Sequence, residues 1–392
     1  MKKIICFVFC IIFICTTALT AFCAEKTENE ELPDDIKAAS AILVEASSGK
    51  VLFEYNADEK RSPASVTKIM TILLVCEALD NAQITLADKV TCSKNAASKG
   101  GSQIWLKEGE VMTVDELLKA TVIGSANDAA TLLGEYVAGS EEAFIALMNE
   151  RASQLGMKNT HFENATGLDD TTDSHLSTAR DIAVMSCELL KHGLVTDYST
   201  VWMDSLRGGK TELVNTNKLV RFYKGTTGLK TGTTSKAGCC IAASAERDGL
   251  SLVAVVLGSD NSNERFESAK ALLNRGFSEY AVFTPEIDKT LITDVIVLGG
   301  EYSAVSVSLP DIDPILIKKG DAGMIEQKVE ISTEVQAPVL KNQTLGTVSF
   351  LSDGKVLTQY SLKASKDIKE LTFKASLIRL LRFIGCGIIE NY

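Results

Sequence analysis

The chain has little histidine, no excess of positive charge and no apolar run long enough for a comfortable membrane span. His161, His175 and His192 are scattered without metal-ligand spacing, so neither a metal nor a cofactor is expected. A formal net charge of −11 argues against a nucleic-acid partner. The glycine-containing run 225–231 has no lysine directly after a glycine at the spacing a phosphate loop requires. A disulfide framework is also missing. Of the ten cysteines, Cys6, Cys10, Cys15 and Cys23 lie at the N-terminus, and Cys76, Cys92, Cys187, Cys239, Cys240 and Cys386 follow no pairing pattern. Most of these read as small buried apolar residues. Cys239 and Cys240 are neighbours in a predicted strand and point to opposite faces.

The N-terminus carries the pattern of an export signal. Lys2 and Lys3 precede an apolar stretch from Ile4 to Cys15, and small residues follow up to Ala24. Residues 1–24 are therefore expected to be removed, with Ala21 at the −3 position if the cut follows Cys23. A permanent N-terminal anchor is the other reading of the stretch.

The chain is organised around Ser65-Val66-Thr67-Lys68. Pro63 suits the start of a helix, and the apolar run 69–75 continues it into a core. Three residues separate Ser65 from Lys68, which places both on one face, one turn apart. Ser65 sits where unpaired N–H groups favour an alkoxide. Lys68 can take its proton if burial or a second cation depresses the lysine pKa. Alone, this pattern also fits an ordinary capped helix.

Two further motifs change that reading. Ser125-Ala126-Asn127 and Lys230-Thr231-Gly232 follow in the order and spacing of the S-x-x-K, S-x-N, K-T-G set of penicillin-interacting enzymes. Ser125 and Asn127 also fit a helix cap when taken by themselves. Runs 62–71, 124–128, 164–169, 177–181 and 228–232 together resemble the serine-type D-alanyl-D-alanine carboxypeptidases, the low-molecular-mass penicillin-binding proteins. The resemblance spans residues 39–283 and weakens beyond them.

The resemblance implies acyl transfer. Ser65 would be the nucleophile and Lys68 the proton acceptor, kept neutral in part by repulsion from Lys230. Ser125 would relay a proton, and Asn127 would hold the substrate backbone or Lys68. Lys230, Thr231 and Thr233 would receive a terminal carboxylate, and Gly232 would let a substrate strand lie close. The N–H groups of Ser65 and Thr233 would form the oxyanion hole. The substrate would be a peptidoglycan stem peptide ending in D-Ala-D-Ala, with β-lactams as covalent inhibitors. A β-lactamase-like hydrolase is one alternative, but no E-x-x-x-N stretch lies between the second and third motifs. A non-catalytic wall-binding protein is the other. Arg265, ahead of a helix, reads as a surface residue, with contact to a carboxylate as the other reading.

The expected fold is α+β. Strands at 41–46 and 50–55 form a hairpin, helices dominate from 79 to 194, and strands return at 228–233, 239–244 and 250–257. A helix at 266–276 is expected to stop at Gly276. This describes a β-lactamase/transpeptidase-like catalytic domain at 35–285, an antiparallel sheet with a helical subdomain. Short β-prone runs at 295–298, 303–309, 329–332 and 345–350 indicate a small all-β domain at 286–373. Residues 374–392 place Leu377, Ile378, Leu380, Leu381, Ile384 and Ile388 on one helical face with Arg379 and Arg382 opposite. That pattern fits an interfacial membrane helix, or a terminal helix packed on the β domain. The expected location is the outer face of the cytoplasmic membrane.

Overall fold

The computed structural model describes residues 32–170 and 172–386. The expected export signal, Gly387 and Ile388 lie outside these residues.

Five antiparallel strands form the central sheet: β1 (Ser40–Glu45), β2 (Val51–Tyr55), β3 (Thr226–Thr234), β4 (Gly238–Arg247) and β5 (Leu250–Ser259), in the order β2-β1-β5-β4-β3. Strand alternation splits their side chains between two cores. Ile42, Val44, Ala242, Val253 and Val255 face a helical layer that includes α1 (Lys68–Asp80), α2 (Val114–Val122), α3 (Asn127–Ala138), α4 (Glu141–Gln154) and α5 (Ala179–Leu190). Ala41, Leu43, Ile241, Ala243, Leu252 and Ala254 face α6 (Ser262–Glu279) with its Phe266, Ala269, Leu272 and Leu273. The helical layer is inserted between β2 and β3, so the sheet is completed by chain ends far apart in sequence.

α6 runs three residues past Gly276, which does not stop it. A Cβ there would meet Leu252 Cδ1 at 2.6 Å and Leu43 Cδ2 at 3.0 Å. The glycine therefore lets the helix lie against β1 and β5, a packing demand that sequence spacing does not display.

Beyond α6 the fold is built from short strands. Strand Tyr280–Phe283 pairs with Ile315–Lys318. One sheet joins Val307–Ser308, Lys355–Ala364, Thr344–Ser352 and Ile325–Ile331 in that order, and another joins Ala304–Val305, Val295–Leu298 and Glu334–Gln336. The sequence reading omits strand Lys355–Ala364, although Thr358, Tyr360, Leu362 and Ala364 alternate with the more exposed Gln359, Ser361 and Lys363. The last helix, α7 (Phe373–Cys386), leaves Phe373, Leu377, Ile378, Leu380 and Leu381 exposed. Among the described residues, no helix is long and apolar enough to cross a membrane.

Candidate active site

The Ser65 stretch forms a 3₁₀ turn, Ala64–Thr67, that runs into α1 at Lys68. The open edge of β3 abuts this turn. A Cβ on Gly232 would stand 2.9 Å from the Ser65 backbone nitrogen and 2.9 Å from the Pro63 oxygen, so only glycine allows this approach. Ala64 at φ +47° and Ser125 at φ +60° both adopt left-handed backbone conformations. Two non-glycine residues held there, one next to Ser65 and the other the sequence-predicted proton relay itself, mark a strained site.

Lys68 is completely buried. Its Nζ lies 2.9 Å from Ser65 Oγ, 2.5 Å from Asn127 Oδ1 and 2.8 Å from the Thr166 carbonyl oxygen. The last two groups only accept hydrogen bonds. A neutral amine satisfies this arrangement: two N–H groups serve the two acceptors, and the lone pair faces the Ser65 hydroxyl. Burial pushes the Lys68 pKa well below the ordinary lysine range; repulsion from Lys230 adds to this and Asp128 opposes it. The expected influence of Lys230 is present, but second to burial.

Asn127 does not cap α3, and neither does the Ser125 side chain. The N-cap is Ala126, without a side-chain bond. Asn127 Nδ2 donates to the Gly100 oxygen at 2.7 Å, which turns its Oδ1 toward Lys68. Ser125 is buried, with 4% of its surface exposed. The helix-cap reading of both residues is thus replaced by one in which α3 delivers Asn127 to the lysine.

On β3, Lys230 is buried and its Nζ donates to the Thr231 oxygen at 3.1 Å. Burial, then the nearby Arg265, lowers its pKa to about 7. The Thr231 hydroxyl is bonded to Thr216 Oγ1 at 2.8 Å. Thr233 is exposed at the end of the strand, and its Oγ1 donates to the Gly232 oxygen.

Arg265 is not a surface residue. It is 6% exposed, and its Nη1 donates to the Gly232 oxygen at 3.1 Å and to Thr233 Oγ1 at 3.0 Å. It forms no ion pair among the described residues, and its Nε is buried without a partner. A buried guanidinium lacking a counter-ion is costly unless an anion arrives. The helical spacing 265, 269, 272, 276 would have found it, since Ala269, Leu272 and Gly276 are all buried on the same face.

The loop 164–169 closes the site. Asn164 Oδ1 accepts from the N–H groups of Thr166 at 3.1 Å and Gly167 at 2.7 Å, aiming the Thr166 carbonyl at Lys68. Asp169 Oδ2 accepts from Ser62 Oγ at 2.6 Å and Thr234 Oγ1 at 2.7 Å, tying the turn that carries Ser65 to the end of β3. His175 is buried below them. Its Nδ1 accepts from the Glu163 N–H at 3.0 Å, so its Nε2–H donates to Thr67 Oγ1 at 2.8 Å. No carboxylate is hydrogen-bonded to Ser65 or Lys68 among the described residues.

Comparison with known proteins shows the family of the chain. Residues 25–261 match the D-alanyl-D-alanine carboxypeptidase family, and residues 287–370 match the penicillin-binding protein 5 C-terminal domain. The chain is 39% identical over 386 residues to D-alanyl-D-alanine carboxypeptidase DacF of Bacillus subtilis, covering 97% of this chain and 98% of that one. It is 36% identical over 367 residues to DacC of Escherichia coli, covering 91% and 90%. The solved structure of penicillin binding protein 5 from Haemophilus influenzae superposes with a TM-score of 0.73 at 29% identity, covering 87% of this chain and all of that one. Penicillin-binding protein D2 from Listeria monocytogenes in its ampicillin-bound form gives a TM-score of 0.58 at 32% identity, covering 63% of this chain and 100% of that one. The chain belongs to the D-alanyl-D-alanine carboxypeptidase family, whose members are serine-type peptidases.

Proposed function

We propose that Ser65 carries the acyl group as this chain removes the terminal D-alanine from peptidoglycan stem peptides. The observation that supports it most is the buried Lys68 amine, 2.9 Å from Ser65 Oγ with two acceptors for its N–H groups. Ser65 Oγ attacks the carbonyl carbon of the penultimate residue and its proton passes to Lys68. The oxyanion is held by the N–H groups of Ser65 and Thr233. As the C–N bond breaks, the D-alanine nitrogen takes a proton relayed from Lys68 through Ser125. Water then attacks the ester and gives a proton to Lys68; as the acyl C–O bond breaks, Lys68 passes that proton to Ser65 Oγ, and the shortened peptide leaves as an acid that ionises to the carboxylate.

The substrate's terminal carboxylate is received by Arg265 and Thr233, with Lys230 and Thr231 beside them and Gly232 giving the backbone room. Charge-assisted bonds to a buried guanidinium make this the strongest recognition contact in the site. β-Lactams acylate the same serine. Hydrolysis of that adduct is slow, because loop 164–169 offers Lys68 a carbonyl where a class A β-lactamase has a glutamate near its serine. The intact lysine geometry argues against a non-catalytic wall-binding role.

Residues 1–24 direct export, 35–285 form the catalytic domain, and 286–373 form a β domain that acts as a spacer. Residues 374–392 attach the enzyme to the outer face of the cytoplasmic membrane through the apolar side of α7.

Incubating the mature protein with a peptide ending in D-Ala-D-Ala tests the reading. Free D-alanine is expected from the wild type and none from Ser65→Ala. A folded wild-type protein that releases no D-alanine would overturn it.

A further inference from the structure

Trp105 is one of two tryptophans in the chain, and it is 73% exposed. Its backbone stands at φ +60°, a costly conformation for so bulky a residue. The cause is visible on both sides. The buried Asp128 carboxylate accepts from the N–H of Ile104 at 3.2 Å and of Leu106 at 3.0 Å, and the Ile104 and Leu106 side chains are buried. Two inward anchors around one residue force the indole outward. Strain spent on exposing a large aromatic ring is an argument for a ligand.

The indole stands on an arch fixed to the catalytic machinery. Asn127 holds that arch through the Gly100 oxygen and, by its own N–H, through the Ser102 oxygen at 2.7 Å. Trp105 follows three residues later, within about 11 Å of extended chain. Beside it runs an open groove of about 740 Å³, lined also by Lys107, Glu108, Arg207 and Lys210. Arg207 is pinned to Glu110 at 2.6 Å and to the Ile104 oxygen at 2.9 Å, giving the groove a firm wall. Lys107, Glu108 and Lys210 make no ion pair among the described residues and keep their hydrogen-bonding groups for a ligand.

We propose that this groove is a carbohydrate subsite, where Trp105 stacks on the sugar that bears the stem peptide. The proposal rests on the stem-peptide reading above and extends it. An exposed indole beside charged groups of both signs suits a neutral, hydroxyl-rich ring, whose C–H face lies on the aromatic and whose hydroxyls meet Lys107, Glu108 and Lys210. A polyanion would call for one sign of charge. Four residues of stem peptide between the scissile bond and the sugar put the sugar at a reach of up to about 14 Å from Ser65, on the side where the arch that Asn127 holds carries Trp105.

The test compares a free pentapeptide with the same peptide carried on its muramyl disaccharide. Trp105→Ala should lower kcat/KM roughly five- to tenfold on the disaccharide substrate, the scale of one aromatic stacking contact, and leave the free peptide unchanged. Trp105→Phe should restore most of the loss. Parallel changes on both substrates, or none on either, would overturn the subsite. A second readout stands apart from turnover. In the Ser65→Ala background, a peptide-free glycan oligomer should quench tryptophan fluorescence saturably, and the quenching should vanish with Trp105→Ala. No saturable quenching would overturn the sugar site even if D-alanine release is normal.

Discussion

Gly167 and Ala64 approach so closely that a Cβ on the glycine would stand 1.8 Å from the Ala64 carbonyl oxygen and 2.8 Å from Thr67 Oγ1. Gly167 is also at φ +82°. No side chain fits there without moving the turn that carries Ser65. Gly167→Ala should therefore shift both that turn and the Thr166 carbonyl bonded to Lys68. The expected result is a loss of about 1–3 kcal/mol of stability from overpacking and a drop in acylation rate of about 100-fold, as for misplaced reacting groups. Thermal melts and β-lactam acylation kinetics check this; wild-type acylation would contradict it.

His175 ties stability to pH. Burial lowers its pKa to about 4; Asp169 opposes this, while the nearby His161 and Lys68 add to it. The folded ring is neutral, so between about pH 6.5 and 4 the unfolded chain binds the extra proton. The contribution is full above pH 6.5 and is lost as pH falls toward 4. Stability should fall by about 2 kcal/mol from this residue between pH 7 and 5, and His175→Gln should flatten that part of the curve. Denaturant unfolding at both pH values measures it.

Arg265 predicts a substrate requirement. A terminal carboxylate should be preferred over a terminal amide, and Arg265→Gln should lose about 10- to 100-fold in kcat/KM on the acid while changing the amide little. The ratio between the two substrates is the readout. Equal losses on both would show that Arg265 acts only by supporting β3.

The exposed residues Leu377, Ile378, Leu380 and Leu381 give α7 an uncovered apolar side among the described residues. Each contributes up to about 1.5–3 kcal/mol on full burial, and less at interfacial depth. Mature protein should float with anionic liposomes, and protein lacking residues 376–392 should not, with D-alanine release from soluble peptide unchanged. If both float, or neither does, α7 is not the anchor.

Local chemistry was legible in the sequence. Ser65 and Lys68 are three residues apart, so a single turn determines their contact. Strands β1, β4 and β5 declare themselves by apolar runs between turn residues. The unread features depend on contacts between distant segments. Gly276 resembles a helix stop until β5 is packed against it. Arg265 resembles a surface cation until the edge of β3 supplies the carbonyl it binds. His175, Asp169 and Gly167 act across about a hundred residues on the 3₁₀ turn, and no spacing rule connects them to Ser65. Asn127 fits a cap equally well until Gly100 fixes which way its amide faces.

The most direct measurement is the site of penicillin attachment. Labelled penicillin, proteolysis and fragmentation of the peptide 62–68 should locate a persistent adduct on Ser65, distinguished from Ser62 in the same fragment. Ser65→Ala should abolish labelling, and Lys68→Ala should slow it by about 10²–10⁴-fold, the usual worth of a general base. An adduct on Ser62, Ser125 or any other residue, or undiminished labelling of Ser65→Ala, would contradict the assignment of Ser65 as nucleophile.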